Sequence, residues 1–162
     1  WYRPMDTHEQ VLHLAKRTRF MLRLPSDRID AAKALCQRQL NIDGYRLKIS
    51  QQTYVRKLST QTTLFARHMV TTNKASEAEF TEQMMKQLSQ SGIVVKKLLC
   101  GKLHTLNTPN AGIFVRSLML ADLAIEHSIL LQQQGLGPQR RLGCGLFIPH
   151  KSIRAVSSEA SE

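Results

Sequence analysis

An α+β fold is what this sequence predicts, and three observations carry the prediction. Short runs rich in β-branched and apolar residues recur at 60–70, 93–106 and 113–120, each bounded by turn residues. Two stretches with helical apolar spacing, 76–91 and 122–134, lie between and after them. With a last apolar run at 145–149, residues 60–151 read β-α-β-β-α-β, the split βαβ or ferredoxin-like unit. Residues 17–50 read strand, helix, strand, strand, which is the second half of the same unit. The expected architecture is therefore tandem ferredoxin-like (βαββαβ) domains, the first incomplete, with its opening elements upstream of Trp1. Residues 1–50 form the C-terminal part of the first domain, 51–59 a linker, 60–151 the second domain and 152–162 a disordered tail.

The elements follow in order. Thr7 and Gln10 have the spacing of a capping box for a short helix. Phe20, Leu22 and Leu24 alternate with Arg17, Arg19 and Arg23, as in a strand with one apolar and one basic face. That basic face suits RNA or plain solvent. Pro25 stops the strand, and Ser26 caps a helix over 27–38 with Ile29, Ala32 and Cys36 on one stripe. Asp43-Gly44 between Leu40–Ile42 and Tyr45–Ile49 is a two-residue hairpin signal.

In the second domain, Ser76 and Glu79 form a capping box. Phe80, Met84 and Leu88 then follow at four-residue spacing toward the stop at Gly92. Residues 93–106 are expected as one strand carrying Lys96, Lys97, Lys102 and His104, and 113–120 as another carrying Arg116. Asp122 is the expected N-cap of a helix running to Gln134, with Ile125 and Ile129 inward.

Composition narrows the function. A formal net charge of +11 and a pI near 10.1 point to a polyanionic partner, most simply nucleic acid, with a membrane surface as the other polyanion. No apolar run reaches transmembrane length, so no membrane partner is expected. Cys36, Cys100 and Cys144 are odd in number and far apart, which fits a reducing, cytoplasmic compartment and argues against structural zinc. No metal or cofactor is expected.

The chemistry is concentrated at Gly135-Leu136-Gly137-Pro138-Gln139-Arg140-Arg141-Leu142-Gly143-Cys144-Gly145. Two Gly-x-Gly clips bracket adjacent arginines between a helix and the last strand. Gly135, Gly137, Gly143 and Gly145 tolerate positive φ and close approach, and would offer bare N–H groups beside the guanidinium forks of Arg140 and Arg141. A phosphate clamp is one reading of this loop; a glycine helix cap followed by a β-turn is the other. Lys96, Lys97, Lys102, His104 and Arg116 complete the candidate RNA-binding set. His104, with Lys102 nearby, is the local candidate for acid–base work, while a surface or RNA-contacting histidine fits it as well. A P-loop is excluded, because no Lys-Ser/Thr follows the second glycine. A dinucleotide fingerprint is excluded too, because Arg140 stands where its third glycine belongs. An RNA-recognition module of the same sandwich class is a rival, but in 143–148 only Phe147 supplies a stacking ring.

These residues resemble a known family. The two clips, five residues apart, match the C-terminal glycine-rich signature of the CRISPR repeat-RNA (pre-crRNA) processing endoribonucleases of the RAMP superfamily. The run Arg116-Ser117-Leu118-Met119, Gln132-Gln133-Gln134-Gly135 and Phe147-Ile148-Pro149-His150-Lys151 is similar to the Myxan-like branch of type I systems. So are Leu98–Lys102 and Thr62–Arg67. The resemblance runs from about Trp1 to Lys151. It implies metal-independent cleavage beside a repeat hairpin, in which a ribose 2′-hydroxyl attacks the adjacent phosphate and leaves a 2′,3′-cyclic phosphate. It also implies retention on the crRNA hairpin with other subunits of a type I effector complex, transposon-linked ones included. The family's general base is usually a histidine near the first helix of the first domain, which here would lie before Trp1. None of His8, His13, His68, His104, His127 and His150 matches it, so the resemblance assigns no catalytic residue. A non-catalytic hairpin-binding structural subunit is the alternative.

Overall fold

The computed structural model of the chain describes residues 18–42, 44–108 and 111–151. It divides into two units that meet between Arg56 and Lys57.

In the first unit a 3-10 turn at Ser26–Arg28 runs into the short helix α1 (Ile29–Lys33). An antiparallel hairpin follows, β1 (Gln39–Ile42) with β2 (Tyr45–Lys48). Its turn contains Gly44 at φ +82°; Asp43 lies outside the described residues. Leu40 pairs with Leu47 and Ile42 with Tyr45 on one face, while Gln39–Lys48 and Asn41–Arg46 make the other face polar. Two expectations fail here. The strand over 17–24 does not form among the described residues, and Phe20, Met21 and Leu22 are 50–78% exposed. Alternation supplies a face but no hydrogen-bonding neighbour, and no described strand runs beside this stretch. Ser26 does not cap a helix to residue 38. Pro25 is the residue before the 3-10 turn, no side chain caps it, and α1 ends at Lys33. Ile29, Ala32 and Cys36 do share the less exposed side, but all three are only half-buried. The expectations for Thr7–Gln10 and for the tail lie outside the described residues.

The second unit is a mixed α+β layer structure with an antiparallel sheet. Its elements are β3 (Leu64–Val70), α2 (Glu77–Gln90), β4 (Lys97–Cys100), β5 (His104–Asn107), β6 (Gly112–Ala121), α3 (Ile125–Gln134) and β7 (Phe147–Pro149). The long strand β6 is the spine: β3 pairs along one side of it, β4 and then β5 along the other, and β7 flanks β3. Counting β4 and β5 as one interrupted strand gives the order 2-3-1-4 in an all-antiparallel sheet, as in the split βαβ unit.

The interruption corrects the single strand expected over 93–106, and Gly101 causes it. Its N–H donates to the Ser117 carbonyl at 2.9 Å, and its own carbonyl accepts from Arg116 Nη1 at 3.0 Å. A Cβ at Gly101 would overlap the Ser117 hydroxyl. A glycine inside a strand marks such a close approach.

The helix α2 forms as its sequence dictates. The Ser76 hydroxyl accepts the Glu79 N–H at 3.2 Å, and the Glu79 carboxylate accepts the Ser76 N–H at 2.7 Å. Phe80, Met84 and Leu88 are fully buried, and Gly92 leaves the helix at φ +70°. They meet Leu64, Ala66, Leu118 and Leu120 of the sheet, together with Leu131 and Phe147. Burying a large apolar side chain of this kind contributes about 1.5–3 kcal/mol.

The helix α3 departs from expectation at its start. Asp122 sits at φ +57° with its carboxylate 2.9 Å from Lys97 Nζ, and Ala124 is the N-cap. Ile125 is 46% exposed, and the buried residues are Ser128, Leu131 and Gln132. Two of these are polar because they hold the segment entering β3. The Gln132 carboxamide accepts the Ser59 N–H at 3.1 Å and donates to the Ser59 carbonyl at 2.7 Å. The Ser128 hydroxyl donates to the Gln61 carbonyl. Buried polar groups satisfied in this way cost little and fix one arrangement.

Candidate nucleic-acid interface

The glycine-rich loop leaves α3 at Gln134 and closes on itself at its neck. The Leu136 N–H donates to the Gly145 carbonyl at 2.9 Å, and the Gly145 N–H donates to the His68 carbonyl at 2.7 Å. Gly135 and Gly145 stand against each other, at φ +66° and +67°. A Cβ on Gly135 would come within 2.6 Å of the Gly145 oxygen, and one on Gly145 would overlap the Leu136 carbonyl. Only glycine fits both positions. Leu136 and Cys144 plug the loop's underside with 6% and 0% exposure, and burial pushes the Cys144 thiol pKa up, which keeps it protonated.

Beyond the neck, Gln139 at φ +59° leads into a 3-10 turn over Arg140–Leu142, which Gly143 leaves at φ +81°. The N–H groups of Leu142 and Cys144 donate to the Gln139 carbonyl, and that of Gly143 donates to the Arg140 carbonyl. This corrects the expectation of bare N–H groups at three of the four glycines. Those of Gly135, Gly143 and Gly145 already serve the Leu131, Arg140 and His68 carbonyls. The clips build the loop, and the arginines are what it presents. Arg140 folds back, with Nη1 donating to the Gln134 carbonyl and Nε to the Gly137 carbonyl at 3.4 Å, and so caps the C-terminus of α3. Arg141 is exposed, and no described residue pairs with its guanidinium.

The loop docks on an irregularity of β3. The register with β6 slips between Ala66 and Met69, both buried, so Arg67 and His68 occupy a bulge. His68 is half-buried; its pKa is held below the usual value first by that burial, then by the charge of Arg67 and by His104. His104 reaches this neighbourhood from β5, where it pairs with Val115 of β6, itself opposite Val70 of β3. Strands two apart in a sheet lie about 10 Å from each other. Lys102 is exposed in the link between β4 and β5 on the same edge. The glycine loop is thus anchored on the bulge that carries Arg67 and His68, with His104 two strands away across β6.

The remaining candidates lie elsewhere. Lys97 pairs with Ala121 of β6, six residues along the strand from Val115 and so about 20 Å from the His104 end. Its ion pair with Asp122 raises the lysine pKa and lowers that of the carboxylate, which Lys96 also holds down. Arg116 is a correction. Its Nη1 and Nη2 donate to the Gly101 and Ala75 carbonyls at 3.0 and 3.2 Å, and the guanidinium lies 6.0 Å from the Phe80 ring centroid. It is half-buried, and these contacts hold the β4–β5 break to the start of α2.

Arg67 and His68 were missing from the sequence-derived set, and so was the tilted contact of Phe65 with His150, whose ring centroids are 5.9 Å apart. A signal for the bulge was present. The apolar alternation of Leu64 and Ala66 resumes at Met69 rather than at residue 68.

Fold and loop together define a class: an antiparallel α+β domain of split-βαβ order whose last crossover is a glycine-pinched, arginine-bearing loop. The chain belongs to the Cas6 CRISPR family, whose model matches residues 3–152. It is 29% identical over 156 residues to the CRISPR-associated endonuclease Cas6 of Myxococcus xanthus (strain DK1622), covering 96% of this chain and 66% of that protein. Among solved structures, a CRISPR endoribonuclease Cse3 bound to a 19-nucleotide RNA shares 15% identity at a TM-score of 0.46, over 66% of this chain and 63% of that one. Thermus thermophilus Cse3 bound to an RNA representing a pre-cleavage complex shares 14% identity, also at 0.46, over 66% and 62%. The chain spans just under two thirds of the length of these relatives.

Proposed function

We propose that this chain binds the hairpin of a CRISPR repeat RNA through the glycine-loop end of its second unit. In the full-length protein it takes part in cutting the precursor RNA. The reading rests on one observation, the family match over residues 3–152. The cationic end of the sheet supports it, since exposed Arg141 and Lys102 with Arg67 suit phosphate contacts. In this reading both units belong to tandem ferredoxin-like domains, the first incomplete, divided near residues 51–59. Cleavage is metal-independent: the ribose 2′-oxygen attacks phosphorus, the bond to the 5′-oxygen breaks, and a 2′,3′-cyclic phosphate and a 5′-hydroxyl result. No residue of this chain is assigned as the general base. The product hairpin stays bound and joins the protein to the other subunits of a type I effector complex in the cytoplasm.

The test is a cleavage assay of the full-length protein with labelled repeat RNA in EDTA. A discrete cut at the hairpin base, abolished by a 2′-deoxy substitution at the scissile nucleotide, is the expected result. Tight binding without a cut would favour a structural hairpin cap, and absence of binding would end the reading.

A further inference from the structure

The bulge of β3 has a chemistry that the glycine loop leaves unexplained. Arg67 and His68 stand between buried Ala66 and Met69, where a regular strand would place one residue. The bulge is fixed from the other side as well, because the His68 carbonyl is the acceptor that anchors the neck of the loop at Gly145. Across β6, His104 brings a second imidazole within electrostatic reach, with Val115 between them 1% exposed.

The strands β3, β5 and β6 contain no Asp or Glu. Acting on His68 are Arg67 on its own strand and His104 on β5, beyond which Lys102 lies exposed in the β4–β5 link. The other cation of β6, Arg116, is engaged with Gly101, Ala75 and Phe80. From the loop come the buried Cys144 thiol and the Gly145 backbone. Among the described residues no carboxylate forms an ion pair with Arg67, His68 or His104. A guanidinium and an imidazole on the strand that anchors a basic loop, with a second imidazole across β6, are complementary to a phosphodiester.

We propose that Arg67, His68 and His104 seat one phosphodiester of the bound RNA, and that His68 takes up a proton as it binds. The proposal rests on the RNA-binding reading above and adds a site and a regulation to it. In the free protein, burial, Arg67 and the neighbouring imidazole keep His68 neutral at ordinary pH. A phosphate placed among these groups reverses the balance, because the anion favours the imidazolium form of His68. Binding then consumes protons and strengthens as pH falls.

The experiment uses the full-length protein and a fluorescently labelled RNA hairpin carrying its CRISPR repeat, with affinity measured at pH 6.0 and 7.5 at fixed salt. Because each linked proton changes affinity by up to about tenfold per pH unit, binding is expected to be at least about threefold tighter at the lower pH. His68→Gln reduces that acid-side gain, and His104→Gln weakens binding. The second variant lies on an exposed edge strand and decides the matter if the first disturbs the bulge. Arg67→Gln weakens binding at both pH values and, by removing a charge that holds His68 neutral in the free protein, also shrinks the acid-side gain. A ratio of one in the wild type, or an affinity unchanged in His104→Gln, overturns the proposal and leaves RNA binding intact. No binding at either pH overturns both.

Discussion

At the scale of single residues, the four glycines of the loop are not equivalent, and the difference is measurable. Gly143 sits at φ +81° with open space where a side chain would go, so an alanine there meets only the left-handed backbone penalty. That penalty is about 1–2 kcal/mol. Gly145 has the same kind of φ, but its Cβ would overlap the Leu136 carbonyl and disturb the two hydrogen bonds of the neck. Gly145→Ala is therefore expected to cost about 3 kcal/mol or more, at the severe end for single substitutions. Gly143→Ala should remain near its backbone penalty. Denaturant unfolding of both variants checks the order, and equal costs would show that the neck is not closed as described. The sequence marked all four positions as special, but it did not say which were there for contact and which for conformation. That distinction depends on Leu136 meeting Gly145 in space.

Elements set by local signals were legible, and those set by distant partners were not. The helix α2 was readable to its caps because Ser76, Glu79 and Gly92 act within a turn of the residues they stop or start. The break at Gly101 was written in the sequence but depends on Ser117, sixteen residues on, and the strand expected over 17–24 failed for want of a described neighbour. The start of α3 was misplaced because Asp122 is engaged by Lys97, and its inward face was misread because Ser128 and Gln132 are polar. The site shows the same division: the loop was found from its glycines, whereas Arg67 and His68 enter through a register slip against β6. The end of α3 yields a prediction of its own. Arg140 caps it while Arg141 points free, so Arg140→Ala is expected to lower both stability and RNA affinity. Arg141→Ala should lower affinity alone. If Arg141 contacts one phosphate, that variant also reduces the steepness of log K against log salt by about 0.7–0.9. Binding titrations at several salt concentrations, with a melting curve for each variant, separate the two roles. Equal melting temperatures for the two variants would remove Arg140 from the cap.

For the whole molecule, the charge of +11 and the few groups with shifted pKa set how stability responds to pH. The carboxyls of Asp30, Glu79 and Asp122 are held below their usual values by Lys33, by the Ser76 backbone and hydroxyl, and by Lys97. Each adds stability above its ordinary pKa, which is lost as pH falls through the folded value, in the region below about pH 4. Lys97 is shifted upward, so its contribution is present below its ordinary pKa and is lost as pH rises through the higher folded value, on the alkaline side. His68 acts in between and with the opposite consequence from a paired histidine. Its folded pKa is lowered, so below about pH 6.5 the unfolded chain binds the proton more readily and the native state is progressively disfavoured. Stability should therefore be highest at about pH 7 to 8 and decline above that as the unfolded chain ionises Cys100 and Cys144, whose folded thiol pKa values are raised by burial. On the acid side it should decline first between about pH 6.5 and the lowered His68 value, and decline again below about pH 4. Urea unfolding midpoints across this range test the profile, and His68→Gln is expected to remove the first decline and leave the second. A first decline that survives His68→Gln would assign it to another group and show that the bulge imidazole is not held neutral by its surroundings.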